Sequence, residues 1–248
     1  MPGAAETRER MTFFGADTVA DAAARLQETG FVLVLASHEA DSGLLPAASD
    51  AERASASRAR DPAGHLLRRR IARAIAADVT SHAAADFTVV TTGLGQPILV
   101  GPGGLHVSFA ARDHLSLVGI ASRPLGVDLE DAITPDAIPW NILRPDEAEA
   151  LRTLPEASRS GAFLDLWTGK EAVLKAIGAG LHVPPEALWI TRDGIVRQRQ
   201  DPSSDGEWHL LPLQVSWPER HDVFHNTFRI AVALLSNGDP DPFEPGQS

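Results

Sequence analysis

The stretch Trp167-Thr-Gly-Lys170-Glu171-Ala-Val-Leu-Lys175-Ala-Ile-Gly178-Ala-Gly180-Leu181 reads as the last turns of a helix stopped by its glycines. Glu171 and Lys175 stand four apart, so both side chains leave one face, with Trp167 a turn earlier. Alone, such a pair is a surface ion pair worth about 0.3 kcal/mol. Composition argues for more. The chain has 22 Lys plus Arg, and only Lys170 and Lys175 are lysine. Lysine is a flexible point charge able to follow a phosphate through a reaction; the rigid guanidinium fork is no substitute there.

A second stretch, Gly126-Val-Asp128-Leu-Glu130, follows the apolar run Leu115 to Ala121 and alternates as a strand does. Asp128 and Glu130 therefore face one side, about 7 Å apart. Two like charges so placed are unfavourable without a cation or water between them. Water satisfies a strand end. A hard divalent cation is the sharper alternative, because Mg2+ takes one or two carboxylates and completes its shell with phosphates and water.

The two stretches, in this order and about forty residues apart, resemble the two-part signature of the 4'-phosphopantetheinyl transferases, most closely the longer, surfactin-synthetase type. The resemblance runs roughly from Val32 to Leu235 and is strongest from Leu105 to Leu181. It implies an α+β fold of two similar α/β halves related by a pseudo-two-fold, with the active site at their junction. It implies Mg2+-dependent transfer of 4'-phosphopantetheine from coenzyme A to a serine of an apo acyl, peptidyl or aryl carrier protein, releasing adenosine 3',5'-bisphosphate. On this resemblance Asp128, Glu130 and Glu171 are the metal ligands. Lys175 contacts the phosphate oxygens, Lys170 assists, and Glu171 or a metal-bound water takes the serine proton.

The same resemblance names coenzyme contacts. Gly95-Gln96-Pro97 is similar to the family's Gly-Lys-Pro element, with Gln96 replacing the lysine. Leu105 to Ala110 occupies the place of an Asn-x-Ser-His-Ser segment. Ser108 matches its first serine, whereas Phe109 stands where a histidine contacts a phosphate and Ala110 replaces the second serine. His106 would face opposite Phe109 on a strand and is left unassigned; His65 is another possible compensator. Seven arginines against three acids make residues 51–80 a positive island in a chain of net charge −11. Such an island suits a ligand with several phosphates, and Arg60 and Arg69 are the residues chosen from it.

Length and composition set the frame. A chain of 248 residues, 44% hydrophobic, can bury a proper core. The expected segments are an N-terminal extension (1–30), a coenzyme-binding half (31–124), a half carrying metal and catalytic residues (125–236) and a mobile tail (237–248). Within the extension, Asp17 is placed to cap a helix carrying Val19, Ala22, Ala23 and Leu26. Zero cysteines exclude disulfides, thiolate metal sites and a cysteine nucleophile. The acidic balance argues against nucleic-acid partners, and no apolar run reaches a membrane span. With no apolar signal core at the N-terminus, a cytoplasmic monomer is the expectation. Two rivals remain: a relative that docks coenzyme A or a carrier without turnover, and an unrelated Mg2+-dependent phosphohydrolase or nucleotidyltransferase.

Overall fold

The computed structural model describes residues 11–13, 18–39, 43–178, 183–190, 195–198, 208–217 and 226–236. Asp17, Gly180, the Asp193-Gly194 turn and the tail from 237 lie outside the described residues. Helices with mainly antiparallel sheets make the chain α+β. The first part comprises β1 (Thr12–Phe13), α1 (Val19–Thr29), β2 (Phe31–Ser37), α2 (Asp50–Ala56), α3 (Pro62–Thr80), β3 (Thr88–Thr91), β4 (Pro97–Val100), β5 (His106–Arg112) and β6 (Leu115–Ala121). The second comprises β7 (Leu125–Asp131), α4 (Pro145–Thr153), α5 (Glu156–Ile177), β8 (Leu188–Ile190), β9 (Ile195–Gln198), β10 (Trp208–Trp217) and β11 (Asn226–Leu235).

Two sheets organise the core. One has the order β1-β2-β6-β5, the other β7-β11-β10-β9-β8, and β3-β4 is a separate hairpin. Strand β2 reads as an unbroken apolar run because both of its faces are covered. Phe31, Leu33 and Leu35 face a core shared with Val127, Leu129, Leu213, Phe228 and Ile230 of the second sheet. Val32, Val34 and Ala36 face a core built with Leu26 of α1 and Leu67, Ile71 and Ile75 of α3. The layers are thus helices, sheet, sheet, helix, with α5 covering the outer face of the second sheet through Ala172, Val173 and Ala176.

The described residues of the expected extension, 11–13 and 18–30, are built into this core. Met11 is buried, β1 pairs in parallel with β2 at Thr12↔Val34, and Ala22 and Leu26 pack under α3. Helix α1 is capped by Thr18: its hydroxyl accepts from the Asp21 N–H, and the Asp21 carboxylate accepts from the Thr18 N–H.

One glycine sets the distance between α5 and the sheet. Along β7, Leu125, Val127 and Leu129 point into the shared core, so Gly126, Asp128 and Glu130 point the other way. A Cβ at Gly126 would lie 1.8 Å from the Ala172 carbonyl oxygen. Only glycine lets the helix rest this close to the strand. That approach brings the carboxylate two residues further along beneath the helix's polar turn.

Candidate active site

Asp128 is buried, and its Oδ1 accepts from the Lys175 ammonium at 2.5 Å. Its other oxygen, Oδ2, is buried with no hydrogen-bond partner. Glu171 stands one turn before Lys175 on α5. Burial, and then the negative charge of Asp128, push the Glu171 carboxyl above its ordinary value, against the opposing pull of Lys175. Residues 128 and 175 are thus paired across two segments, with Glu171 one turn from the lysine and near enough to feel both charges.

Glu130 follows on the same face of β7, but its carboxylate pairs with the Arg112 guanidinium at the end of β5. Arg112 also lies 3.7 Å from Asp131. Among the described residues no group of three or more His, Cys, Asp or Glu side chains is gathered to hold a metal ion. What the geometry offers is a pair, Asp128 and Glu171, with an unpartnered buried oxygen and mutual repulsion. A hard dication that takes one or two protein carboxylates and fills its shell with phosphate oxygens fits that donor set.

Glu171 and Lys175 line a cavity of about 430 Å³, closed by Leu94, Gln96, Phe109 and Trp167. A second cavity of about 460 Å³ is lined by Arg58, His65, Arg68 and Arg69. Gly95, Pro97 and Phe109 line both, so the two form one groove with a carboxylate–lysine end and an arginine end. Two of its arginines are held from behind. Arg69 donates to the His65 carbonyl and to Thr91 Oγ1, both at 3.2 Å, and its guanidinium lies 5.8 Å from the Phe109 ring centroid. Burial, and then Arg68, lower Arg69 to about 10. Arg68 donates to the buried Ser116 hydroxyl at 2.8 Å, a hydroxyl that also meets His38 Nε2 at 2.9 Å. Burial together with the two arginines holds the His65 imidazole down at about 4, so it is neutral at pH 7.

Several sequence expectations meet a different geometry. Lys170 is buried and pairs with Glu147 of α4, Nζ to Oε1 at 2.6 Å and to Oε2 at 2.8 Å. One residue along a helix is a rotation of about 100°, which turns position 170 away from the groove and toward α4. Glu147 is its counter-ion and also accepts from the Arg144 N–H. Arg60 is exposed and does not line the arginine cavity. Ser108 lines the first cavity, but its buried hydroxyl accepts from the Val127 N–H at 3.1 Å and so ties β5 to β7. Gln96 and Gly95 sit at the groove, with the Gln96 amide turned onto the end of α5.

Arg69, chosen from the island, does line the arginine cavity, and so does His65; Arg68 beside them was missed, although His65, Arg68 and Arg69 stand at i, i+3 and i+4 on α3, a spacing readable in the chain that marks one helix face. Arg58 and Arg112 carry no such signal. Two more arginines of the island are structural: Arg70 donates to the Pro46 and Leu45 carbonyls, and Arg73 reaches Glu52 and the Ala47 carbonyl.

Part of the chain matches known proteins. Residues 124–233 match the 4'-phosphopantetheinyl transferase superfamily, so the resemblance drawn from the two motifs is borne out. Among curated proteins the chain is similar to the 4'-phosphopantetheinyl transferase gsp of Aneurinibacillus migulanus, 29% identical over 90 residues, or 36% of this chain and 38% of that protein. It is also similar to the 4'-phosphopantetheinyl transferase HetI of a Nostoc species, 34% identical over 95 residues, covering 35% and 40% of the two. The matches thus span about two fifths of each relative's length. Among the described residues no helix is long and apolar enough to cross a membrane.

Proposed function

We propose that this chain transfers 4'-phosphopantetheine from coenzyme A to a serine of an apo carrier protein, releasing adenosine 3',5'-bisphosphate. The observation that carries the reading is the meeting of Asp128, Glu171 and Lys175 at one end of a groove whose other end is lined by three arginines. Coenzyme A has matching polarity, a pyrophosphate near its reacting atom and a 3'-phosphate further off. Arg58, Arg68 and Arg69 would receive the 3'-phosphate, and the support of Arg68 by Ser116 and of Arg69 by Thr91 and Phe109 holds those two forks in place before the ligand arrives.

The site lies at the junction of the two expected halves, with the groove walls drawn from β5 and the β3–β4 turn on one side and α5 on the other. The serine oxygen attacks the β-phosphorus, and the bond from that phosphorus to the bridging oxygen breaks. Lys175 follows the charge that develops on the phosphate oxygens. The serine proton passes to Glu171 or to water. Asp128 and Glu171, with Glu130 once Arg112 releases it, would hold Mg2+, which supplies charge neutralisation on the pyrophosphate.

The test is to incubate the chain with coenzyme A, Mg2+ and an apo carrier domain and to weigh the carrier. A gain of one phosphopantetheine, abolished in Glu171→Ala, is the expected result. Coenzyme binding without mass gain would instead identify a docking relative, a reading that Phe109 favours because it offers no hydrogen bond to a phosphate. Phosphate release from free nucleotides would identify a hydrolase.

A further inference from the structure

The Gln96 side chain crosses from the β3–β4 turn to the last turn of α5. Its Nε2 donates to the Lys175 carbonyl at 3.4 Å, beside the Gly178 N–H that reaches the same oxygen at 3.2 Å, so the last turn of α5 is tied to the β3–β4 turn as well as to its own cap. Gly178 caps that helix with φ 71, and a Cβ there would lie 2.2 Å from Gln96 Oε1. The glycine therefore both closes the helix and leaves the seat into which the glutamine fits. The turn bearing Gln96 is itself held: its N–H donates to Thr92 Oγ1 at 3.1 Å, its carbonyl accepts from the Thr92 N–H at 2.9 Å, and the Gly95 N–H donates to the Thr92 carbonyl at 3.0 Å. Gln96 and Lys175 line the same cavity, and the Lys175 ammonium ends on Asp128.

We propose that Gln96 is a positioning residue: a clamp that fixes the end of α5 against the β3–β4 turn and so aims the Lys175 ammonium. This rests on the transfer reading above and extends it. A residue that touched coenzyme would act on its affinity. A clamp acts on the rate of the bound complex, because a reacting group displaced by about an ångström loses rate while the ligand's own contacts persist. The device also accounts for glutamine at this position. An amide is a neutral donor that reaches a carbonyl, and a carboxylate in its place would be repelled by the negative end of the helix.

The experiment compares Gln96→Ala, Gln96→Lys, Gln96→Glu and Gly178→Ala by steady-state transfer, varying coenzyme A. In parallel, hydrogen–deuterium exchange of the amides of residues 174–178 is followed without ligand. Gln96→Ala is expected to lower kcat about tenfold with KM for coenzyme A changed less than about twofold, and to speed exchange at the helix end. Gln96→Lys, which retains a donor favourable at a helix C-terminus, restores both; Gln96→Glu restores neither. Gly178→Ala, which fills the seat, reproduces the loss, and adding Gln96→Ala to it costs little more. A loss confined to KM makes Gln96 a coenzyme contact and overturns the proposal, as does unchanged exchange in Gln96→Ala. If the unaltered chain transfers nothing, the transfer reading falls too, while exchange still decides whether the clamp exists.

Discussion

Replacing Lys170 with methionine separates a structural lysine from a catalytic one. The Lys170 side chain is 2% exposed and its partner Glu147 is 11% exposed, so the change leaves a carboxylate stranded in a dry site. Breaking a buried pair by removing one partner costs about 3–5 kcal/mol. A domain of this size shifts its melting temperature by about 2–4 °C per kcal/mol, so a loss of about 3 kcal/mol lowers it by roughly 6–12 °C. The ammonium points to α4, away from the groove, so kcat of the folded variant should stay within about twofold of the unaltered chain. Thermal melts followed by circular dichroism, and transfer assayed well below the variant's melting point, give both numbers. The double change Lys170→Met with Glu147→Leu, which swaps the pair for apolar side chains, should recover most of the stability. A melting temperature lowered by less than about 2 °C together with a hundredfold loss of transfer would refute the reasoning and return Lys170 to the chemistry.

Three further outcomes follow from the same structure. Gly126→Ala drives a Cβ into the Ala172 carbonyl and must push α5 off the sheet, so a urea melt should show a loss of about 3 kcal/mol or more with transfer falling alongside. Arg69→Ala removes a supported guanidinium from the arginine end of the groove and should weaken coenzyme A binding by calorimetry about 10–100-fold, with a much smaller effect on dephospho-coenzyme A, which lacks the 3'-phosphate. His65 is held at about 4 in the folded chain against 6.5 unfolded, so the unfolded state takes its proton first. Its stabilising contribution is complete above 6.5 and is lost as the pH falls toward 4; His65→Gln should show a shallower decline across that window in denaturant titrations at fixed pH.

Local sequence rules carried the fold a long way. The unbroken apolar run at Phe31, the glycine stops at Gly30 and Gly178, the break at Asp61-Pro62 and the proline opening α4 each act within a turn or two of chain, and each appears where the residues place it. What local rules could not show was that Met11 and α1 belong to the core, since Ala22 and Leu26 look like any amphipathic stripe until α3 lies over them.

For the candidate site, the sequence by itself determined which side chains share a face, because strand period two and helix period 3.6 put Asp128 and Glu130 on one face and Glu171 with Lys175 on another. Only the tertiary structure decided how they pair. The close approach at Gly126 sets Lys175 on Asp128, Arg112 arrives from a different strand to take Glu130, and Lys170 goes to a helix partner 23 residues away. The physical reason is range. Periodicity tells which way a side chain points, whereas the charge it meets there belongs to whatever segment packing brings across, and packing is set by surfaces far apart in the chain.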